Sequence, residues 1–448
     1  MNTIQRPATV SPEPLAALAA SLRSGSMRLK DYIEKSLDRV DRFEGDVHAL
    51  LPEPGRRARL LAEAAKLEEG FPDPATRPPL YGVLVGVKDI FAADGFETKA
   101  GSELPSSLFA MPQGPVVTAL RNAGALVLGK TITTEFAYFA PGPTANPWDT
   151  SRTPGGSSSG SAAAVAAGFC SLALGTQTIG SISRPAAFCG IAGWKPSYER
   201  TSREGTVPFS PSLDHVGLLA PDSAGLALAA PLIAKDWDSL EYEEAAAQYS
   251  KIRPILAIPD GPYLEQTESA TLAAFEATIS RLRSMGFSIV RIPAFEDIDE
   301  INESHRRISA AEMERTHREW YPVHQKIYAQ ATRDLIEKGA NIADNELALD
   351  LRLRESLRKT LEDRLEDNGA AYWISPAAIG PAPVGLDSTG SPLMNLPWTN
   401  AGLPTLTLPT QWVVDSMPIG IQLASHFGSD EELLALGTVM ESLLNVTR

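Results

Sequence analysis

The chain has 448 residues, with 40 Lys+Arg against 55 Asp+Glu and a formal net charge of −15. Hydrophobic residues make up 43% and charged residues 21%, a globular balance that excludes a disordered chain. Two cysteines and six scattered histidines without HExxH or HxH spacing exclude a disulfide framework and a Cys- or His-built metal site. The acidic excess argues against nucleic acid or an anionic membrane as partner. MNTIQRPATVSPEP lacks a signal-peptide core, and no apolar run approaches the roughly 20 residues of a membrane span. A cytoplasmic protein working without metal or cofactor is therefore expected.

In chain order, Pro14 to Arg23 and Leu29 to Phe43 carry apolar residues at helical spacing, the second as Leu29, Ile33, Leu37 and Val40. The β-branched run from Gly82 to Phe91 reads as a buried strand ending near Lys88. Val117 to Ala123 reads as a helix, and Ala125 to Leu128 as the next strand. Between Pro141 and Gly193 small residues dominate, which lets backbones approach closely and frees amides for binding. Asp236 to Glu244 reads as an acidic surface connection. A strand–helix–strand unit follows at Ile255–Ile258, Ala270–Met285 and Phe287–Ile292. Glu296 to Asp367 is charged and helical, and the last 75 residues return to short apolar runs before an amphipathic helix, Asp430–Leu444. This alternation predicts an α/β class, a mixed sheet covered by helices.

Three motif matches fail on context. Gly124-Ala-Leu-Val-Leu-Gly129-Lys130-Thr131 satisfies GxxxxGK[ST], but a helix precedes its first glycine and the intervening residues are themselves the strand. Gly156-Ser157-Ser158-Ser159-Gly160 satisfies GxSxG, but the segment entering it is a loop. Ser356-Leu-Arg-Lys359 mimics SxxK on a charged helix face.

What remains is Pro154-Gly-Gly-Ser157-Ser158-Ser159-Gly160-Ser161, then Gly175 to Gly190 around Ser181, and Lys88 at the end of its apolar strand. A Gly-rich turn around a serine can aim several N–H groups at one point, as an oxyanion requires. No histidine lies near either turn, and a lysine kept neutral by desolvation can serve as the base a serine needs. Ordinary Gly/Ser turns joining strands, beside a solvated lysine, are the other reading of the same residues.

VGVKDIF, GKTITTEFAY, NPWD, PGGSSSGSAAAVAAG and LALGTQTIGSISRPAAFCGIAGWKPS, followed by SLDHVG, ISPAAIGPAP, NLPWTNAGLPTLTLP and PIGIQL, together resemble the amidase signature family. The resemblance covers nearly the whole chain and is weakest over Tyr242 to Tyr372. It implies that fold, as a single domain over 1–448. The core would lie at about 60–235 and 370–448, with a helical, charged periphery at about 294–368. It implies Ser181 as nucleophile, Ser157 as the bridging serine after a cis peptide bond, Lys88 as base, and the N–H groups of Thr178, Ile179, Gly180 and Ser181 as oxyanion hole. The chain departs from the family's second turn at Gln177, where an acid is usual, at Ile179, where glycine is usual, and at Ser183, where arginine is usual. Arg184 stands one position later.

The resemblance implies an amidohydrolase that cleaves a small carboxamide or urea-like C–N bond through a Ser181 acyl-enzyme. A second reading is the glutamine-hydrolysing subunit of a tRNA-dependent amidotransferase; a third is a catalytically silent scaffold. Substrate contacts are expected from the Ile132–Tyr138 loop (Thr133, Phe136, Tyr138), from Ile182, and from Trp373, Asn395 and Trp398. The partner expected is a small amide, with a homodimer left open. Cys170 and Cys189 are read as packed residues rather than reactive thiols.

Overall fold

The computed structural model describes residues 6–444. One ten-stranded mixed sheet runs through it. Its strands are β1 (Leu84–Lys88), β2 (Leu126–Thr131), β3 (Leu172–Gln177), β4 (Ala192–Lys195), β5 (His215–Ala220), β6 (Leu256–Asp260), β7 (Ile289–Pro293), β8 (Tyr372–Pro376), β9 (Thr405–Val414) and β10 (Met417–Ala424). The order across the sheet is β2-β1-β3-β5-β4-β9-β10-β8-β6-β7. Strand β1 is parallel to β2 and β3, the centre from β3 to β8 is antiparallel, and β8, β6 and β7 are parallel. The expected α/β class and helix-covered mixed sheet are present.

Strands β1 to β5 are buried at every position, which is why they read as continuous apolar runs rather than alternating ones. Helices Leu15–Ser24, Leu29–Val47 and Pro115–Asn122 lie within one or two residues of expectation at their starts. The helix Arg56–Gly70 was not anticipated, because it buries only Leu60 and Ala64 among its fifteen residues and so carries a weak apolar stripe. The acidic connection is itself helical from Ser239 to Tyr249: Asp238 caps it, accepting from the N–H groups of Leu240 and Glu241. The charged region forms Ile298–His317, Gln330–Gly339 and Asp344–Asp367 around a short turn of helix at Tyr321–His324. Strands β6 and β7, which fall between the two stretches expected to form the core, extend the same sheet at its edge.

The helix Ser159–Ala166 follows the first serine turn and is buried along its whole length. It lies so close to its neighbours that a Cβ on Gly160 would stand 2.2 Å from the Ala49 carbonyl oxygen and 2.4 Å from the Ile132 nitrogen. Only glycine fits there, and this fixes how deeply the turn is seated. No helix among the described residues is long and apolar enough to cross a membrane.

Candidate active site

Lys88 ends β1 with no exposed surface. Its Nζ lies 2.7 Å from Ser157 Oγ and 2.7 Å from Thr176 Oγ1 at the end of β3. Burial drives its pKa well below the ordinary lysine range; the more distant charge of Asp214 opposes the shift. Among the described residues no carboxylate is within hydrogen-bonding reach of this amine, so its neutral form is favoured.

The serine turn is stapled to the strand ends around that amine. Gly156–Ser157 is a cis peptide bond, as the resemblance implied. Ser158 Oγ donates to the Thr176 carbonyl at 3.2 Å, and Ser161 Oγ donates to the Leu174 carbonyl at 2.8 Å while lying 2.7 Å from Thr131 Oγ1. The N–H of Gly160 donates to the Ile132 carbonyl at 2.9 Å. These bonds seat the turn, and Ser157 is left facing Lys88.

Beyond β3 the chain turns through Thr178 to Ser181 and enters the helix Ser183–Cys189. Gln177, in the family's acid position, organises this turn without charge. Its Oε1 accepts from the N–H groups of Ile182 at 2.8 Å and Ser183 at 2.9 Å, and its Nε2 donates to Thr399 Oγ1 at 2.9 Å. Thr399 in turn donates to the Ile179 carbonyl at 2.8 Å. The amide therefore takes over the hydrogen bonding expected of the acid, and it occupies the two amides just past the four expected to hold an oxyanion. A Cβ on Gly180 would come within 2.6 Å of Asn395 Oδ1, so the turn packs directly on Asn395.

Ser157 and Ser181 line one cavity of ≈ 10 Å³ with Ala137, Tyr138, Phe139, Ile179 and Arg184, room for about one water. Tyr138, Phe139 and Ile179 also line a neighbouring cavity of ≈ 270 Å³. These three side chains are the wall between the serines and an outer vestibule, whose other faces include Leu335, Leu393 and Leu396, with Arg306 and Lys338. Phe136 and Ala137 hold Tyr138 in place with φ of 47° and 61°, a left-handed pair that is costly for residues with a Cβ. Glu135 secures the segment, accepting from the Ala329 N–H at 3.0 Å and from the Thr332 hydroxyl.

The structure divides the expected substrate contacts. Tyr138 and Ile179 face the cavity. Phe136 does not: its ring packs on Phe109, His317 and Tyr328 at centroid distances of 5.6, 4.5 and 5.5 Å. Trp373 and Trp398 meet at a centroid distance of 6.0 Å, tilted by 46°, in a second aromatic cluster with Tyr263 and Phe295, and Trp398 Nε1 donates to Tyr263 Oη at 2.8 Å. Ile182 points under the turn toward Gly193 and Gly217 of the sheet. Thr133 is buried and lines neither cavity. Asn395 stands behind Gly180, its Nδ2 donating to the Ala377 carbonyl and to Gln422 Oε1. Residue type alone cannot separate these roles, because an aromatic in a core and one in a pocket leave the same mark in a sequence.

Three neighbours were not anticipated. Thr176 touches Lys88, and Thr399 braces the turn that leads to Ser181. Asp214, within SLDHVG, accepts from Thr178 Oγ1 at 2.6 Å and from the N–H groups of Phe209 and Ser210. Burial pushes the Asp214 carboxyl up to about 6, against the pull of those hydrogen bonds. Arg184 does not reach Gln177 or Asp214. Its Nη2 donates to the Gly156 carbonyl at 2.6 Å and to Thr389 Oγ1 at 3.1 Å. Both cysteines are free and buried, with the Cys170 thiol pushed up to about 12 and Cys189 raised as well by burial, so neither is reactive. The described residues hold no group of three His, Cys, Asp or Glu placed to bind a metal.

The amidase family model matches residues 31–434. The chain belongs to the amidase signature family. A glutamyl-tRNA(Gln) amidotransferase subunit from Nitratidesulfovibrio vulgaris (strain DP4) is 31% identical, covering 96% of each chain. The protein of the same name from Chromohalobacter salexigens is 43% identical over 49% of this chain and 46% of its own length. Among solved structures, one described as an amidase matches with a TM-score of 0.84 and 29% identity over 97% of this chain and all of its own. A chain from a complex described as revealing the evolutionary origins of an s-triazine catabolic enzyme matches at 0.85 and 28%, over 96% and 98%. This amidase-family protein is a hydrolase acting on amide C–N bonds.

Proposed function

We propose that the protein hydrolyses a small carboxamide or urea-like C–N bond through an acyl-enzyme on Ser181. The observation that carries this reading is the 2.7 Å contact between Ser157 Oγ and a buried lysine that has no carboxylate partner among the described residues. Neutral Lys88 takes the Ser157 hydroxyl proton as Ser157 takes that of Ser181. The Ser181 Oγ–carbon bond forms and the carbonyl π pair moves to oxygen, where the amides of Thr178 to Ser181 receive it. Collapse breaks the C–N bond, and the departing nitrogen takes the proton back through Ser157. Water then repeats the sequence on the ester and releases a carboxylic acid. The roles are those of a triad without its usual residue types.

The curated relatives favour a narrower version, in which the chain hydrolyses glutamine within a tRNA-dependent amidotransferase and works with protein partners. Gln177, Ile179 and Ser183 distinguish this chain's nucleophile turn from the family pattern and favour a different amide. Ammonia release across an amide panel that includes glutamine separates the two, with Ser181→Ala as control. Glutamine as the best substrate of the isolated chain establishes the second reading, and preference for another amide establishes the first. Full activity in Ser181→Ala would refute both.

A further inference from the structure

A separate cavity of ≈ 250 Å³ lies between the helices Ile298–His317 and Asp344–Asp367. It shares no lining residue with the cavity that holds the serines or with the outer vestibule. Its apolar walls are Phe295, Ile301, Leu353, Leu357 and Leu361. Leu349, Leu353, Leu357 and Leu361 recur at every fourth residue and so form one stripe along the second helix. Exposure along that stripe falls from 51% at Leu349 and 41% at Leu353 to 1% at Leu361. An apolar stripe on a helix is ordinarily covered by a neighbouring element. Here its middle faces the cavity instead.

The polar lining divides by depth. Ser304 and Asn400 are buried. A serine inside a helix commonly donates to the carbonyl four residues earlier, as Ser309 does to His305 at 2.9 Å in this same helix. Ser304 does not: its Oγ is buried with no hydrogen-bond partner among the described residues. Asn400 Nδ2 reaches the Ile301 carbonyl at 3.5 Å, a weak bond. At the exposed rim stand Glu296, Asp297 and Glu300, against the single lining cation Arg364, which pairs with Glu296 at 3.0 Å. Glu300 meets Arg307 at 2.7 Å, but that guanidinium is already held by both oxygens of Asp350, at 2.8 and 2.7 Å. Asp297 makes no side-chain capping bond. The helix start by itself favours acids, so the rim fixes the sign of a ligand's charge, while the open apolar walls and the unpartnered Ser304 call for the ligand.

The geometry points to a second binding site, between these two helices, for a small organic ammonium ion: an apolar or aryl body against the leucine stripe, with the amine at the acidic rim. The volume lies just below the roughly 300 Å³ at which pockets for drug-sized ligands begin, which suits an arylalkylamine. The site stands apart from the chemistry at Ser181, and its failure would leave the amidase reading untouched.

The test titrates 2-phenylethylamine, 2-phenylethanol and 3-phenylpropionate into the full chain by calorimetry. The amine should bind about tenfold more tightly than the alcohol, as hydrogen bonds to charged carboxylates give, and the acid most weakly. Asp297→Asn should narrow the preference of amine over alcohol. Leu353→Arg, at an exposed position on the wall, should abolish amine binding while hydrolysis at Ser181 persists. Should Leu353→Arg fail to fold, Thr360→Arg, on the same exposed wall, makes the same test. Equal affinity for the three compounds, no saturable binding of the amine, or amine binding that survives the arginine substitution would each overturn the assignment.

Discussion

Two buried lysines stand one register step apart on neighbouring parallel strands, and they do opposite things. Val87 pairs with Lys130 and Lys88 with Thr131 across β1 and β2. Lys130 Nζ lies 2.9 Å from Asp89 Oδ1 and donates to the Phe91 carbonyl at 2.7 Å and to Thr98 Oγ1 at 2.9 Å. Among the described residues Lys88 Nζ donates to two hydroxyls and to no carboxylate. Burial lowers both pKa values, but at Lys130 the adjacent Asp89 opposes the shift, whereas at Lys88 only the distant Asp214 does. The same residue type at the same depth is thus an ion-paired cation in one place and the proposed neutral base in the other. The partners decide, and desolvation alone does not.

This contrast can be broken from either side. Lys88→Ala should lower kcat by about 10⁴-fold or more, the scale of losing one member of a catalytic unit, with the melting temperature little changed. Steady-state kinetics beside a thermal melt check it, and retained activity would place the base elsewhere. Lys130→Met should do the reverse. It leaves Asp89 buried and unpaired, which costs about 3–5 kcal/mol of stability, while kcat per folded molecule should stay within about tenfold. Denaturant titration measures the first and active-site titration the second.

The remaining tests sharpen the contrast more gently. The base must be neutral, so kcat/KM should rise with pH along a limb set by the depressed Lys88 pKa. An ionised Asp214 favours the protonated lysine. Asp214→Asn removes that charge, lowers the Lys88 pKa further, and should move the limb to lower pH by about one unit. A shift to higher pH would sever the proposed coupling. The smallest effect is expected at the wall. Ile179→Gly should raise kcat/KM for bulkier acyl groups about tenfold relative to acetamide, because side-chain volume beside Ser181 is removed. An unchanged size preference would mean that Tyr138 and Phe139 set the limit alone.

Much of this is legible in the residues. Continuous burial of β1 to β5 writes itself as apolar runs, and the two serine turns with Lys88 stand out because glycine, serine and an otherwise lone lysine at the end of an apolar strand have few other reasons to occur together. The GxxxxGK[ST] match fails in the structure as it does on context: Gly124 precedes a strand, and Lys130 is an ion-pair partner.

The amino-acid sequence by itself determined the fold class, the family and the residues able to carry the chemistry, because those depend on local pattern and on short motifs whose spacing is stored in the chain. The tertiary structure alone decided which of them face each other. It sent Phe136, Trp373 and Trp398 into aromatic clusters and left Tyr138 and Ile179 on the cavity. It gave Gln177 the amides of Ile182 and Ser183, and it turned Arg184 toward the serines with two donors free. The physical reason is common to all of them: burial and partnership are set by residues far apart in the chain, as Arg184 and Thr389 are, and no local periodicity encodes such a meeting.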